Sequence, residues 1–513
     1  MSATILQPEY LLPTADPDSL QNGMAVAIAG SRIAAIDHAE VLRQRWPDAR
    51  TEDLDGCLVM PGLVNAHQHG RGISQIQLGY ADDFLELWIN SRRARGSLDP
   101  YPITKLAAAY MIENGVTSTV HANYSYGSGD YEAEARAALR AYDESGLRVT
   151  FCVGAMDQGF VVYPPHEDAF LASLPADLRG WVAAPAGQPY AGDGAATTAL
   201  MGRLLSDFGD HPRIRLCYGP AGPQWVSDEM LATLARDADA KGLGLHIHAA
   251  ESPAQQATLA ALHPDGAFTY MAERGALTPR TALAHGVYLD DRDIETIARH
   301  GAVVVRNPGS NLRLHNGAAP LAKLLAAGVP VAIGTDNSGL ADDEDLLGEL
   351  RLASELARAP DWHGPAAPTP ADKLRMLTTN GAKAAQTAPD VGRIEPGARA
   401  DLVALTLDRA RQPYLDPDMP LIDALLARAR GDDVRLTMVD GDILYRDGAL
   451  TGIDKPAIAA EAADAARAAR GPRDPGDVKR MRALRRRIER HYRETLLPAG
   501  NGRRLQRDND EEG

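Results

Sequence analysis

Cysteine is scarce in this chain, with 3 residues among 513. Cys57, Cys152 and Cys217 are widely separated and form no Cys-x-x-Cys pair. This spacing argues against both a disulfide scaffold and a structural zinc knuckle. If the protein holds a metal ion, histidine rather than cysteine must carry it.

Long apolar runs and excess positive charge are missing as well. No stretch approaches the ~20 apolar residues that cross a bilayer, and the first ten residues lack the basic and apolar segments of a secretory signal. We therefore expect no membrane association and a cytoplasmic location. The 53 lysine and arginine residues are outnumbered by 69 acidic ones, giving a net charge of −16, which disfavours nonspecific nucleic-acid binding. The expected partner is a small-molecule substrate.

The length of the chain requires at least two domains, because single hydrophobic cores stop growing beyond roughly 250–300 residues. Residues 61–385 alternate helix-like and strand-like segments. Eight strand–helix units in this length predict an α/β fold, a (β/α)8 TIM barrel. The predicted strands are 58–69, 116–121, 147–153, 214–218, 243–248, 281–285, 302–306 and 330–336.

The segments outside this barrel have a different secondary-structure pattern. Short β-type runs occur in residues 1–60 and again in 386–455, so we predict one small β-sandwich domain built from both chain ends. Residues 456–513 are expected to form a helical C-terminal extension with a disordered end from about residue 501. Its second helix carries an apolar face that should dock on the barrel or on another subunit, and a homo-oligomer, a dimer, is expected. That face consists of Met481, Leu484, Ile488 and Tyr492.

One insertion stands out within the barrel. Residues 157–209 are rich in proline, glycine and alanine and are too long for a bare connection. They predict either a lid or wall over the barrel mouth, or a surface excursion without function.

A metal site is predicted where the barrel strands end. His67 and His69 lie one residue apart, so on a strand both project to the same side. His248 ends the fifth predicted strand and Asp336 the eighth. Since TIM barrels place their chemistry at the C-terminal ends of the strands, these four residues are expected to hold one ion.

Two further residues suggest catalysis beside that ion. Glu251 lies three residues after His248 and is placed to shuttle a proton, while His285 ends the sixth strand and could hydrogen-bond the attacking water. The residues of this site also have plainer interpretations. A lone histidine on a strand is often a buried core residue, and Thr335-Asp336 could be a helix cap. The coincidence of all these residues at predicted strand ends favours the functional interpretation.

Five segments together carry a family resemblance: 61–69 (PGLVNAHQH), 246–251 (HIHAAE), 283–285 (LAH), 308–312 (PGSNL) and 333–336 (IGTD). They resemble the amidohydrolase superfamily, and within it the metal-dependent deaminase and chlorohydrolase branch that includes cytosine, guanine and S-adenosylhomocysteine deaminases. The resemblance implies that His67, His69, His248 and Asp336 bind one divalent ion, zinc or else iron. It also implies that Glu251, His285 and Asp336 are catalytic.

No lysine ends the fourth strand, where binuclear relatives carry a bridging carboxylated lysine; Arg215, Cys217 and Tyr218 lie there instead. The resemblance therefore favours a mononuclear site.

Departures from the family pattern bear on the substrate. This chain has Arg306-Asn307-Pro308 where many relatives have His-Cys-Pro or His-Asn-Pro. The loop after the fourth strand contains Gln224-Trp225 instead of the common His-x-Pro-Tyr. We expect substrate to be bound by Arg306, Asn307, Gln224, Trp225, Arg71 and His121. Arg306 should enter the barrel mouth and, with Arg71, hold an anionic group. The alternative for Arg306 is an ion pair with one of the acids at positions 342–345.

These features predict a hydrolase. An ion would lower the pKa of a bound water from ~15.7 toward ~7, and the resulting hydroxide would attack a C–N carbon of a small amidine, guanidine or aminated heterocycle, releasing ammonia or an amine. Hydrolysis of another leaving group, such as chloride, an alkylamine or an amide, is the alternative within the same scaffold. A noncatalytic metal-stabilised binding protein is the third hypothesis, but it would have no need for Glu251 and His285.

Overall fold

The computed structural model describes residues 3–94, 96–183, 190–336, 342–358, 364, 366–471 and 474–497. The predicted disorder after residue 501 lies outside these residues. Within the described part of the chain, no helix combines the length and apolar character needed to cross a membrane.

Eight parallel strands follow one another in sequence order around a barrel. They are Leu63–Gln68, Val116–Ala122, Arg148–Ala155, Ile214–Pro220, Leu245–Ala249, Thr281–His285, Val303–Arg306 and Val331–Ile333. A parallel bridge between Gln68 and Asp336 joins the eighth strand to the first, and the Asp336 amide donates to the His67 carbonyl at 2.9 Å. The predicted TIM barrel is confirmed, and its closure brings the first and last strands together at the mouth.

Helices pack on the outside of this barrel because their apolar faces cover the outward side chains of the strands. Two short helices lie elsewhere: Pro308–Arg313 at the mouth, beside Asp336, and Thr379–Ala384 against the inward side chains of the strands. The outer helices are Pro100–Glu113, Tyr131–Ser145, Gly194–Phe208, Asp228–Lys241, Pro253–Leu262, Ala267–Glu273, Asp291–His300, Leu321–Ala326, Leu346–Leu356 and Pro370–Leu377. One of them, Gly194–Phe208, falls inside the predicted insertion but buries Leu200, Met201 and Leu204 in the barrel core. The excursion from the barrel is therefore shorter than the predicted 157–209.

Both chain ends form the second sheet, as predicted. Its strands are Ala3–Leu11, Gln21–Asn22, Met24–Ala29, Arg32–His38, Arg50–Pro61, Leu402–Thr406, Val434–Val439, Asp442–Arg446 and Ala449–Leu450. The long strand Arg50–Pro61 pairs with the N-terminal strand on one side and with Leu402–Thr406 on the other. Shorter helices accompany this sheet, at Ala39–Arg45, Asp408–Arg411 and Leu421–Arg428.

The segment from residue 58 to 69, predicted as one strand, is shared between the two sheets. Its first part belongs to Arg50–Pro61 of the small sheet and its second part is the first barrel strand. The chain turns at Gly62, where an added Cβ would lie 2.1 Å from the Thr117 Oγ1 atom. Only glycine fits this close approach.

The remaining helices lie above the barrel mouth and along one side. Leu85–Ser91, Glu167–Ser173 and Ala176–Ala183 belong to the loops at the mouth, and Lys455–Arg470 and Pro475–His491 form the C-terminal extension. Leu484, Ile488 and Tyr492 of the extension are buried against the mouth loops, while Met481 is partly exposed. Within this chain, the predicted apolar face docks on the barrel side of the molecule.

Arg148 links the two domains through a buried ion pair, and its removal tests the interface. Its guanidinium lies 2.7 and 3.0 Å from the Asp401 carboxylate and 2.9 Å from Asp440, and all three side chains are nearly inaccessible. Arg148→Met should lower the free energy of unfolding by about 3–5 kcal/mol, because it leaves the buried Asp401 carboxylate without a counter-charge. Asp440 keeps its second ion pair, with Arg399 at 2.9 Å. Urea unfolding measures the change.

The control is Arg213→Met, which removes a partly exposed pair with Asp143. It should cost less than about 1 kcal/mol. A similar, small loss in both variants would show that the buried pair contributes nothing beyond a surface pair.

Candidate active site

Five side chains converge at the barrel mouth. His67 and His69 come from the first barrel strand, His248 from the fifth, His285 from the sixth, and Asp336 follows the eighth. One ligand atom from each of His67, His69 and His248 lies within 4.8 Å of the others, and the same holds for His67, His285 and Asp336. All five are buried. The structure therefore brings together the residues that the sequence singled out.

The donor atoms of this cluster suit a divalent ion. Asp336 Oδ1 lies 3.0 Å from His69 Nε2 and 3.5 Å from His67 Nε2. Burial lowers the pKa of His69 and of His248, so both imidazoles are neutral and keep a lone pair. Burial acts to raise the pKa of Asp336, but the polar contacts with the His67 and His69 imidazoles hold it well below its usual value. Neutral imidazoles with a carboxylate are the ligand set of zinc and similar ions.

One ring nitrogen of His67 also lacks a hydrogen-bond partner in the described part of the chain. Among the described residues, no hydrogen-bond partner faces its buried Nε2 atom. A buried polar atom in this state is costly unless a ligand satisfies it. The cluster thus fits a metal ion by geometry, by charge and by this unsatisfied nitrogen.

Two of the clustered histidines, His67 and His69, are oriented by contacts of their Nδ1 atoms. His69 Nδ1 lies 2.6 Å from the Ala122 carbonyl, to which it donates. His67 Nδ1 lies 2.7 Å from Nε2 of His246, a residue for which the sequence analysis gave no role. Its spacing from His248 was the available signal, since residues two apart on a strand share a face. Such partners fix the ring orientation and leave Nε2 directed at the centre of the cluster.

The backbone is strained where two of these residues stand. His285 has φ of 78° and Asp336 has φ of 59°, a left-handed conformation that residues other than glycine rarely adopt and that costs on the order of 1–3 kcal/mol. Ser310 holds the Asp336 side chain by donating to Oδ2 at 2.7 Å. Strain of this kind concentrates at functional sites, because the surrounding structure must enforce it.

Glu251 and His285 face each other beside the four candidate metal ligands, His67, His69, His248 and Asp336. Glu251 Oε2 lies 3.6 Å from His285 Nε2, and Asn316 donates to Glu251 Oε1 at 2.9 Å. Burial, reinforced by the negative charges of Asp336 and Glu86, raises the pKa of Glu251 well above its usual value. This carboxyl group can therefore hold a proton at neutral pH.

His285 complements it as an acceptor. Burial lowers the pKa of His285 to about 3, so its ring is neutral. With the Asn307 amide oxygen turned toward the ring, His285 Nδ1 donates to it at 3.3 Å. The Nε2 atom then carries the lone pair and faces Glu251, which is the arrangement of an acid and a base.

A cavity of about 320 Å³ opens above the cluster. Its floor is formed by His69, His248, Glu251, His285 and Asp336, and its walls include segments that follow the first and third barrel strands. The wall residues are Arg71, Leu85, Glu86, Trp88, Arg92, Arg93, Tyr124, Tyr126, Met156, Phe160, Tyr163, Tyr190, Trp225, Leu314 and Tyr492. The insertion after residue 157 thus supplies part of the wall, in agreement with the first of its two predicted roles.

Some predicted substrate residues lie in this cavity and others do not. Arg71 and Trp225 line it. Gln224 is buried outside the lining, and Asn307 contacts His285 and not the cavity. His121 faces outward, edge-on to Tyr142 and Phe151, since its strand neighbour Val120 takes the inward position. The structure places none of these three residues in the cavity lining, and direct substrate contact by them stays a prediction.

The prediction that Arg306 enters the barrel mouth is wrong. Val303 and Val305 point into the barrel, so the period-two alternation of the strand directs Arg306 outward. Its guanidinium lies 3.5 Å from the Ala353 carbonyl of the helix Leu346–Leu356, and Glu349 on that helix supplies the nearby negative charge. The alternative, an ion pair with the acids at 342–345, is not formed among the described residues.

The cavity residues that sequence analysis missed lie mostly in loops. Glu86, Trp88 and Arg92 come from one short segment after the first barrel strand, and Tyr124 follows the second. Tyr124 stacks on His69, and its hydroxyl lies 3.1 Å from His248. Their only sequence signal was their position just after strands of the barrel, where active-site loops are expected.

Comparison with known proteins agrees with this site. Residues 58–444 match the model of the amidohydrolase family. The chain is 32% identical over 448 residues to a 5-methylthioadenosine/S-adenosylhomocysteine deaminase of Nitratidesulfovibrio vulgaris, covering 85% of this chain and 91% of that one. It is 33% identical over 462 residues to a 5'-deoxyadenosine deaminase of Methanothermobacter thermautotrophicus, covering 88% and 95%.

A solved structure shows the same similarity. The zinc-bound adenosine deaminase of Xanthomonas campestris superposes with a TM-score of 0.75 at 25% identity, covering 91% of this chain and 99% of that one. The resemblance drawn from the five sequence segments is thereby confirmed. The chain belongs to the amidohydrolase family of metal-dependent hydrolases, and it is a hydrolytic enzyme that acts on carbon–nitrogen bonds.

Proposed function

We propose that this enzyme is a deaminase that removes the exocyclic amino group of an aminated purine, such as an adenosine derivative, and releases ammonia. The observation that carries this proposal is the pairing of a high-pKa carboxyl, Glu251, with a neutral His285 directly beside the metal cluster. The names of the two sequence relatives and of the zinc-bound structure support an adenine ring as the substrate.

The proposed ligands of a single ion are His67, His69, His248 and Asp336. Zinc is the expected metal, because three imidazoles and a carboxylate match its preference, and iron(II) is the alternative. When bound, such an ion acidifies water so that a nucleophile is available near neutral pH.

The chain's own residues then carry the protons. Asp336 and the His285 Nε2 atom accept hydrogen bonds from the attacking water and fix its direction. Glu251 donates its proton to the ring nitrogen next to the reacting carbon, which makes that carbon more electrophilic. The carboxylate formed in this way takes a proton from the water and passes it to the departing amino group, which leaves as ammonia. As the amine leaves and the product carbonyl forms, the second proton of the water returns to Glu251, which ends the cycle protonated, as its raised pKa favours.

The aromatic walls suit a planar ring. Trp88, Tyr124 and Trp225 line the cavity above these groups. Ring stacking on such side chains orients a heterocycle without specifying its substituents. The reacting carbon can thus be held over the cluster while the remainder of the substrate extends along the wall.

Ammonia release from a panel of substrates tests this function. We expect turnover of adenosine, 5'-deoxyadenosine and related nucleosides to exceed that of guanine, cytosine and chloro- or alkylamino-triazines. Removal of the metal with a chelator should abolish activity, and one equivalent of Zn²⁺ should restore it, because the ion supplies the nucleophile. A coupled assay and metal analysis provide the two measurements.

Two outcomes would contradict the proposal. Turnover confined to chlorinated or alkylaminated rings, without ammonia, would assign the enzyme to another leaving group. Two ions per chain would overturn the mononuclear site.

A further inference from the structure

Two arginines line the cavity outside the metal cluster. Arg71 follows the first barrel strand, and Arg92 stands at the end of the helix Leu85–Ser91. Their guanidinium groups lie over aromatic rings, 4.4 Å from the Tyr126 centroid for Arg71 and 4.6 Å from the Trp88 centroid for Arg92. Both side chains are therefore held in place within the wall of the substrate cavity.

Neither guanidinium has an acidic partner in the described part of the chain. The ion pairs of the structure include no contact of Arg71 or Arg92, and the buried Arg71 Nε atom has no hydrogen-bond partner there. Burial lowers the pKa of Arg92 to about 10, and repulsion by Arg71 adds to this effect. Two like charges are thus kept close to each other in a partly buried cavity wall, where their repulsion favours the binding of an anion.

The neighbouring Arg93, in contrast, has hydrogen-bond acceptors and a nearby negative charge. It donates to the Asn90 side chain at 2.8 Å and to the Phe160 carbonyl, and Glu167 supplies a negative charge beside it. Arg71 and Arg92 have aromatic contacts only. A cation–π contact does not neutralise the charge of a guanidinium group, so both arginines can still accept an anionic partner.

The acids of the same cavity do not neutralise the pair. Asp336 is engaged by His67 and His69. Burial raises the pKa of Glu86, whose carboxyl group accepts hydrogen bonds from Ser252 and Tyr163. Burial likewise raises the pKa of Glu251. The cavity therefore has a cationic part, and its missing counter-charge must come from a ligand.

We infer that Arg71 and Arg92 form a binding site for an anionic group, a carboxylate or a phosphate, carried by the substrate at a distance from its aminated ring. This inference rests on the proposed function for the identity of the ring and names the class of its substituent. Guanidinium groups suit both anions, because each presents two parallel N–H donors to a pair of oxygens. Under this inference, the anionic group expected from the sequence is held by Arg71 together with Arg92 and not with Arg306.

Kinetics with matched nucleosides provides the first test. The set consists of 5'-deoxyadenosine, adenosine 5'-carboxylate and adenosine 5'-monophosphate, which share the ring and differ in charge, and it distinguishes the two anions. Wild-type enzyme should prefer one of the anionic compounds. Arg71→Met and Arg92→Met should each reduce the ratio of anionic to neutral kcat/KM by about 10–100-fold, mainly through KM, as loss of a charged hydrogen bond predicts.

Arg92→Lys should retain part of the preference, because it keeps the charge but loses the planar fork. The control is Arg299→Met, which removes an exposed arginine paired with Glu295 on the outer helix Asp291–His300. It should leave the ratio unchanged. A wild-type preference for the neutral nucleoside, or equal ratios in all variants, would overturn the inference.

Thermal unfolding provides a second test that does not depend on turnover. Inorganic phosphate should raise the Tm of the metal-loaded wild type but not that of Arg71→Met or Arg92→Met, because binding to the folded state stabilises it. Without phosphate, Arg92→Met should have a Tm equal to or above the wild type, since it removes an uncompensated charge.

The two proposals can fail separately. If no aminated purine is deaminated but phosphate protection depends on the two arginines, the anion site stands and the proposed reaction falls. If ammonia is released but phosphate gives the same shift in all variants, the anion site falls and the reaction stands.

Discussion

Glu251→Gln is expected to lower kcat by about 10²–10⁴-fold, the usual contribution of a general acid–base group, while the metal content stays at one ion per chain. Glutamine preserves the size of the side chain and can still accept the hydrogen bond that Asn316 donates to Oε1. It cannot hold or release the proton that the raised pKa of Glu251 keeps on the carboxyl group. The site should therefore remain assembled but inactive.

Single-turnover kinetics and metal analysis on the same preparation separate the possible roles. The control is Glu295→Gln, an exposed glutamate on an outer helix that pairs with Arg299, and it should have wild-type kcat. Near-normal turnover in Glu251→Gln would make His285 the proton carrier. Loss of the ion would instead make Glu251 a ligand.

The chemical core of this site was predictable because a barrel obeys two simple rules. Side chains alternate along a strand, and active-site residues stand at the C-terminal ends of the strands. His67 and His69 satisfy the first rule, and the positions of His248, His285 and Asp336 satisfy the second. Local patterns were enough because each of these residues is placed by its own strand.

The substrate wall was not predictable by the same means. A shift of one residue decides whether a side chain faces the barrel interior or the helices, and this parity was misjudged for Arg306 and His121. The loop residues Glu86 and Arg92 have no periodicity that could reveal their direction. Their place in the cavity depends on contacts with segments that are distant in sequence, including Tyr163 and Trp88.

The C-terminal extension completes the cavity although it follows the part of the chain that matches the family, which ends at residue 444. Leu484, Ile488 and Tyr492 are buried in one apolar cluster with Tyr163 and Trp225, which line the cavity. The Tyr492 hydroxyl accepts a hydrogen bond from the Tyr163 amide at 3.2 Å. Burial of three such side chains contributes about 1.5–3 kcal/mol each, so the helix is a firmly docked part of the wall.

Ile488→Asp is therefore expected to undock this helix and to lower kcat/KM by at least about tenfold, because a buried, unpaired carboxylate costs several kcal/mol and ~1.4 kcal/mol of lost binding is already tenfold. The lower kcat/KM should result from a higher KM, since Ile488 lies in the apolar cluster behind the cavity wall and does not line the cavity. Limited proteolysis should cut the variant near residue 471, while circular dichroism shows an intact barrel.

Arg486→Asp is the matched control, because it also places an aspartate on the helix Pro475–His491, but at an exposed position. It should retain the wild-type KM and proteolytic resistance. Equal behaviour of the two variants would mean that the extension does not form the wall in solution. A loss of kcat at constant KM in Ile488→Asp would mean that docking acts on the chemical step, and that the wall holds the transition state rather than the substrate.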